Sequence, residues 1–286
     1  MKIALAGTGS KLPSKVLTND DLSKIVDTSD EWISQRTGIK KRHIIGENEN
    51  LVSLAFAAGK EALESANIEG KDLGLIIVGT STQDKRLPNT ACELQPLLGA
   101  KDCACMDVSS ACSGFIYALS IAYSMMNTLD IEYALVVGGD VLSREMDWSD
   151  RTTCVLFGDG VGAAVLKKAD IEEGFLSFDI GADGSKGFAL YDNSYGDDRY
   201  IRMDGQEVFK FTVRTVPHSI EQAIQKAGVH KDDIDLYLLH QANLRILEAV
   251  SKKLDIPIEK LPHNLENTGN TSAGSIPLLL DEVIKK

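Results

Sequence analysis

The chain has 286 residues, 43% of them hydrophobic, with 24 Gly, 7 Pro and a formal net charge of -12. That length builds one large domain or two ordinary ones around a sizeable core, and the composition excludes a disordered chain. No run approaches the ~18 apolar residues of a membrane span, and a surface this acidic repels a phosphate backbone, so membrane and nucleic acid are both set aside.

In chain order, apolar patterning predicts a strand near Ile3 to Ala6, a helix near Leu51 to Ala66 and a strand at Leu75 to Val78. A strand around Cys105 to Val108, a helix over Ser113 to Asn127 and a strand at Tyr133 to Val137 follow, with "TTCVLF" and "VGAAVLKK" read as further strands. This alternation implies mixed or parallel sheets covered by helices. The first residues, "MKIALAGTGSKLP", are too short and too Gly-broken for a secretory signal, which makes the cytoplasm the expected compartment. "GTGSKL" lacks the third Gly of a dinucleotide fingerprint. Five cysteines without a CxxC pair, and five histidines without ligand spacing, point to free thiols and no metal.

A weak internal repeat sets the domain organisation. Residues 62–79, "ALESANIEGKDLGLIIVG", align without gaps on residues 223–240, "AIQKAGVHKDDIDLYLLH", at an offset of 161. Ala62/Ala223, Ala66/Ala227, Asp72/Asp233 and Leu75/Leu236 are identical, and Leu63/Ile224, Ile68/Val229, Leu73/Ile234 and Ile77/Leu238 keep the apolar pattern. Each copy reads as helix, turn, strand. The repeat predicts two pseudo-symmetric α/β halves, residues 1–169 and 170–286. At the same offset the helix "AGSIPLLLDEVIKK" matches the helix after Cys112. Residues 126–168 then have no counterpart, so the second half is expected to lack its last strand pair or to get it from elsewhere.

Three residues carry candidate chemistry. Cys112, in "DVSSACSGF", lies where a strand gives way to an apolar helix. There the helix dipole favours a thiolate and the small neighbours admit a substrate, although an isolated cysteine also serves as a small core hydrophobe. The latter reading is adopted for Cys92, Cys103, Cys105 and Cys154. His240 ends the second copy of the repeat, where the first copy has Gly79, and stands at a strand's carboxyl end, a common place for sites in open α/β sheets. Asn270, in "NLENTGNTSAGS", belongs to a loop with a helix cap, or else donates its amide to a carbonyl oxygen.

"DVSSACSGF", "LLHQANLRI" and "ENTGNTSAGSIP", in this order, resemble the active-site motifs of the β-ketoacyl-acyl-carrier-protein synthase III family within the thiolase-like superfamily. "TNDDLSKIVDTSDEWISQRTGIKKRHI" and "FGDGVGAAVL" extend the likeness over essentially the whole chain. The resemblance implies a layered αβαβα thiolase-like fold that dimerises and a decarboxylative Claisen condensation that starts fatty acid synthesis. In that reaction Cys112 takes an acyl group from a short acyl-CoA, and His240 and Asn270 stabilise the enolate from malonyl-acyl carrier protein. No cofactor is implied beyond acyl-CoA as substrate.

The likeness further implies that Trp32, Arg36 and Arg151 contact the adenine and phosphates of CoA, with Thr28, Thr37 and Asn243 beside them. Without it, "SDEWISQR" reads as a solvated amphipathic helix. Lys210, Arg245, Lys252 and Lys253 resemble a basic rim for the acidic carrier protein, and on an acidic chain such a patch has more meaning. Two departures stand out. Leu87 occupies a position where many relatives carry Phe, and the Gly-rich turn that completes the family's oxyanion hole has no match before Lys286. The competing readings are a polyketide-type condensing enzyme, a catalytically impaired acyl-binding protein, and a papain-like hydrolase, which has no place for the repeat and lacks the "CGSCW" type signature.

Overall fold

The apolar runs of the first half pair into one five-stranded mixed sheet. In chain order the elements are β1 (Lys2–Lys11), β2 (Lys15–Thr18), α1 (Asn19–Leu22), α2 (Asp30–Thr37), β3 (Lys41–Ile44), α3 (Leu51–Ala66), β4 (Leu73–Gly79), α4 (Thr90–Leu97), β5 (Ala104–Val108), α5 (Gly114–Thr128), β6 (Tyr133–Asp140) and β7 (Gly160–Ala169). They are followed by β8 (Leu190–Tyr191), β9 (Arg202–Met203), α6 (Gly205–Ala227), α7 (Leu244–Leu254), α8 (Leu265–Thr268) and α9 (Ser275–Lys285). The structure is a computed structural model and describes residues 2–169, 174–193 and 198–286. The domain boundary expected after Ala169 runs into residues 170–173, which lie outside the described residues.

Strand order in the sheet is β1-β7-β6-β4-β5. β4 is parallel to both its neighbours, and β7 is antiparallel to β6 and to β1. Central strands are buried on both faces, which explains why "LGLIIVG" and "YALVVGG" read as continuous apolar runs. On one face Ile76, Val78, Leu135, Val137 and Val165 pack against Leu54, Ala58 and Ala62 of α3 and Leu94 of α4. On the other, Leu75, Ile77, Val136 and Ala164 meet Phe115, Ala118 and Ala122 of α5. Gly7 and Gly9 serve packing, since a Cβ on Gly9 would lie 2.3 Å from the Ala58 carbonyl oxygen of α3. α9 joins the α5 layer and is tied to β1 by Asp281, which accepts from Thr8 Oγ1 at 2.9 Å and from Ser10 Oγ.

The repeat is visible in the backbone. α3 stops at Asn67 and α6 at Gly228, equivalent positions that both adopt left-handed conformations (φ 54° and 70°), and each is followed by a 3₁₀ turn, Gly70–Asp72 and Lys231–Asp233.

Two strand expectations fail. Residues 234–240 form no ladder with any described residue. Their backbone is held instead by Tyr237 N-H donating to the Lys260 carbonyl at 2.8 Å, and Leu236 is 42% exposed. A strand needs neighbours, which β4 finds in β5 and β6. Residues 152–157, "TTCVLF", form tight turns, with the N-H groups of Thr153 and Cys154 both donating to the Asp150 carbonyl. Cys154 is buried and Cys103 and Cys105 are half-buried. Cys92 departs from its expected core role, because it lies on the outer side of α4 and is exposed.

Candidate active site

Three segments distant in the chain converge beyond the carboxyl ends of the central strands. The first is the 3₁₀ turn Ala111–Ser113, which links β5 to α5 and carries Cys112, partly exposed. Ala111 adopts φ 45°, a left-handed conformation in which a Cβ costs energy, so the turn before the nucleophile is strained. Gly79 permits this approach: a Cβ there would lie 2.4 Å from the Gly114 carbonyl carbon.

The second segment carries His240. With no sheet around it, the anchor is the next residue, Gln241, 1% exposed. Its N-H donates to Ser275 Oγ (2.9 Å), its side-chain oxygen accepts from the N-H groups of Asn264 (2.7 Å) and Leu265 (3.0 Å), and its amide donates to Asn264 Oδ1 (3.0 Å). His240 Nδ1 is buried without a partner among the described residues, and the imidazole and the Cys112 thiol influence each other's charge.

The third segment positions Asn270, 5% exposed. Its N-H donates to the Leu156 carbonyl (2.9 Å) and its carbonyl accepts from Gly158 N-H (3.0 Å), which splices the loop onto residues 156–158. Arg42, fully buried, braces those residues from below through Val155 O (2.9 Å), Asn19 Oδ1 and Leu17 O, and burial brings its guanidinium down to about 10. Asn270 Oδ1 accepts from Ser272 N-H at 2.9 Å. This identifies the amide oxygen and leaves the NH2 end as a neutral donor.

Burial pushes the Cys112 thiol up, but the charge of His240 and hydrogen bonds from His240 and Ser272 outweigh it, so the net shift is below the ordinary thiol value. Burial likewise pushes His240 down, and the Cys112 thiolate raises it above an ordinary imidazole. Each group shifts the other toward its charged form, thiolate at Cys112 and imidazolium at His240, the direction that activates a cysteine nucleophile.

A second cluster lies on the adjoining surface. The Arg36 guanidinium sits 4.6 Å and that of Arg151 5.2 Å from the Trp32 ring centre, so two cations flank one indole. Arg151 donates to the Asp27 carbonyl, and the neighbouring Thr28 Oγ1 is buried without a partner among the described residues. Thr37 is buried. Its hydroxyl donates to Ile33 O and accepts from Ile39 N-H, so it shapes the end of α2. Asn243 caps α7 and donates to the Arg36 carbonyl, while Arg245 donates to that of Gln35, so α7 abuts α2. Lys252 and Lys253 are exposed on the last turn of α7, Lys253 reaching Val213 O of α6, whereas Lys210 is paired with Glu207 at 2.7 Å.

Sequence reasoning missed Gln241, Ser272 and Asp140. Asp140, at the carboxyl end of β6 and fully buried, accepts from Thr80 Oγ1, Ser81 N-H and Thr82 Oγ1 on one oxygen and from Ala273 N-H on the other. A signal for Ser272 lay in the repeat. The offset that pairs the two halves matches Ala111 with Ser272, and both adopt a left-handed backbone, φ 45° and 49°.

A mixed α/β fold with a cysteine on a strained turn just before a helix, a histidine and an asparagine defines a thiolase-like condensing enzyme, an acyltransferase. The family 3-oxoacyl-[acyl-carrier-protein (ACP)] synthase III matches residues 106–184, and its C-terminal counterpart matches residues 224–286. The chain is 47% identical to a β-ketoacyl-[acyl-carrier-protein] synthase III of Xanthomonas euvesicatoria, over 98% of this chain and 89% of that one, and 47% identical to another of Oceanobacillus iheyensis, over 100% and 91%. The crystal structure of 3-oxoacyl-[acyl-carrier-protein] synthase III from Aquifex aeolicus superposes with a TM-score of 0.95 at 47% identity, covering 99% of this chain and 91% of that one. A priming β-ketosynthase from the R1128 polyketide pathway superposes at 0.96 with 32% identity, covering 100% and 88%. The chain belongs to the β-ketoacyl-acyl-carrier-protein synthase III family, condensing enzymes of fatty acid biosynthesis. Among the described residues no helix is long and apolar enough to cross a membrane.

Proposed function

We propose that the chain condenses a short acyl-CoA with malonyl-acyl carrier protein through an acyl-Cys112 intermediate, with no permanently bound cofactor. The observation that carries this reading is the convergence of Cys112, His240 and Asn270 from three segments onto one partly open point. In the loading step the Cys112 thiolate attacks the acyl-CoA thioester carbonyl, the CoA sulphur leaves, and the His240 imidazolium supplies its proton. In the condensing step the malonyl thioester oxygen lies against His240 and the Asn270 NH2 end. Carbon dioxide departs and leaves its electron pair as an enolate that these donors stabilise. The nucleophilic carbon attacks acyl-Cys112, and the tetrahedral intermediate expels the Cys112 thiolate. A thiolate suits thioester exchange, and a neutral amide tolerates the developing negative charge without titrating.

Trp32 with Arg36 and Arg151 is the proposed adenine and phosphate contact of CoA, with the unpartnered Thr28 Oγ1 a further donor at its edge and Asn243 and Thr37 holding the helix ends that frame it. Trp32→Ala is expected to raise KM for acetyl-CoA by about tenfold, the scale of a stacked cation-aromatic contact, with kcat little changed. Steady-state kinetics at fixed malonyl-carrier protein measure it, and a fall in kcat alone would remove Trp32 from CoA binding. Lys252, Lys253 and Arg245 on α7 form the proposed carrier-protein rim. Lys210, neutralised by Glu207, is its weakest member.

The polyketide-type neighbour supports a second reading, and the extender separates the two. With acetyl-CoA as primer, the enzyme is expected to form acetoacetyl product from malonyl-carrier protein in preference to malonyl-CoA. Product appearing equally fast from malonyl-CoA would favour the polyketide reading, and acyl loading without either product would favour an acyl-binding protein. Assembly into a homodimer, which would decide what Leu87, 86% exposed in the single chain, contributes to the acyl pocket, is part of the same proposal and is read by sedimentation.

A further inference from the structure

Of the two cations that flank Trp32, Arg36 needs no outside help, since it lies one turn along α2 from the indole. Arg151 has to be brought there. It sits in "DWSDRTT", residues 147–153, a run of turns that is neither helix nor strand. Asp147 Oδ1 accepts from Ser149 N-H (3.0 Å) and Oγ (2.6 Å), and Asp150 Oδ1 accepts from Thr152 N-H (2.9 Å) and Oγ1 (2.6 Å), so each bend is shaped by its own aspartate. The second oxygen of both carboxylates is turned to one guanidinium, that of Arg202.

Arg202 comes from β9, 55 residues after Asp147. Its Nη1 donates to Asp147 Oδ2 at 3.0 Å and lies 3.7 Å from Asp150 Oδ2. Its Nε and Nη2 donate to Asp198 at 2.8 to 3.2 Å, and the Tyr200 ring centre is 5.7 Å from the guanidinium carbon. The base of the side chain is fixed separately. β9 pairs with β8, Ile201 N-H donates to the Glu145 carbonyl at 2.9 Å, and Ile201 is buried against Leu142, Met146 and Phe157. An isolated ion pair at a surface contributes little. Here one planar fork, 29% exposed, holds three carboxylates at once, and a fork fixes direction as well as distance. It also offsets negative charge beside Arg151 that would repel a phosphate.

We propose that Arg202 is a positioning residue for the nucleotide of CoA: by fixing the turn of Asp147 and Asp150 it holds Arg151 against Trp32, and so favours acyl groups carried on CoA over the same groups carried on pantetheine alone. This rests on the proposed CoA contact of Trp32, Arg36 and Arg151 and adds the residue that assembles it. Arg202 reaches the substrate through Arg151, which directly follows Asp150 in the chain. The tip of Arg151 is tied to Asp27, through the carbonyl at 2.9 Å and the carboxylate at 3.7 Å, but Asp27 is fully exposed and that end is a weak hold. The firm end is the turn, and the turn is gripped by Arg202.

The test follows loading of Cys112 by intact mass in the full chain, from acetyl-CoA and from acetyl-pantetheine, which carries the same thioester without the nucleotide. Arg202→Met keeps an unbranched side chain and removes the fork. It is expected to slow loading at low acetyl-CoA about tenfold, through a higher half-saturation concentration at an unchanged maximum rate, and to leave loading from acetyl-pantetheine as it is. Arg202→Lys, which keeps the charge without the fork, is expected to fall between. A role in stability alone would move both substrates together. Equal losses on the two thioesters overturn the inference, and so does a wild-type preference for acetyl-CoA in Arg202→Met. If that variant does not fold, Asp147→Asn decides in its place. It keeps an acceptor for the Ser149 N-H, loses the charge that Arg202 grips, and is expected to lower the preference about threefold. Trp32→Ala separates the two claims. If it loses the preference while Arg202→Met keeps it, the CoA contact stands and the positioning role falls. If Trp32→Ala keeps the preference, the CoA contact falls and the inference with it. Wild-type protein that loads from neither thioester overturns the proposed function, and calorimetry of CoA binding then decides the inference by itself: a Kd unchanged in Arg202→Met overturns it.

Discussion

Cys112→Ala is expected to abolish acyl loading: after brief exposure to acetyl-CoA the wild-type chain gains one acetyl group by intact mass and the variant gains none. Alanine keeps the 3₁₀ turn and the close Gly79 to Gly114 contact, so the fold should be unchanged, and circular dichroism checks that. Condensation should fall by on the order of 10⁴ to 10⁶, as when a covalent enzyme loses its nucleophile. Decarboxylation of the malonyl thioester should survive in part, because His240 and Asn270 do not depend on the sulphur for position. They are held by Gln241 and by residues 156–158. Retention of the acetyl group by the variant would move the acyl acceptor to another thiol, and exposed Cys92 would be the first to examine.

Asn270→Asp separates the two halves of the reaction. One carboxylate oxygen can still accept from Ser272 N-H, so the loop keeps its anchor, but the NH2 donor is replaced by a second oxygen that repels an enolate. Loss of one oxyanion donor typically costs about 10² to 10³ in rate, and that is the expected fall in condensation, with acetyl loading of Cys112 retained. The sign with pH is distinctive. As pH falls the new carboxyl takes a proton and becomes a neutral donor, so condensation by preloaded enzyme should partly recover, where the wild-type enzyme gains nothing. Stopped-flow carbon dioxide release from preloaded protein would follow it. A variant that condenses at wild-type speed would exclude the amide from the enolate site.

The first half was legible because its information is local. β4 and β6 are buried on both faces, which writes them as unbroken apolar runs, and α3 writes its ends with Asn50 and Asn67. Residues 234–240 carry the same kind of run and were read as a strand for the same reason, but a strand is a property of its neighbours, which a single segment does not encode. "TTCVLF" failed in a similar way: its apolar residues are buried by turns anchored on the Asp150 carbonyl, a pattern without period. At the site, Cys112 and Asn270 stand in short runs of small and polar residues that give them away. Trp32 and Arg36 were readable as one helix face, but the second cation, Arg151, arrives from residues more than a hundred positions away. Asp140 left no trace at all, since its four donors come from two separate stretches, residues 80–82 and residue 273.

The distances along the chain between these partners also set an order in time. The five strands of the sheet all come from residues 2–169, so their pairing can begin while the ribosome is still adding the helix α9 that completes one face. The Asp140 to Ala273 bond spans 133 residues, and the bond from Thr8 to Asp281 of α9 spans 273. Until the second half is in place, Cys112 has no His240 beside it. The thiol belongs to the first-made part of the chain and the imidazole beside it to the later part, so the pair exists only once both have been synthesised.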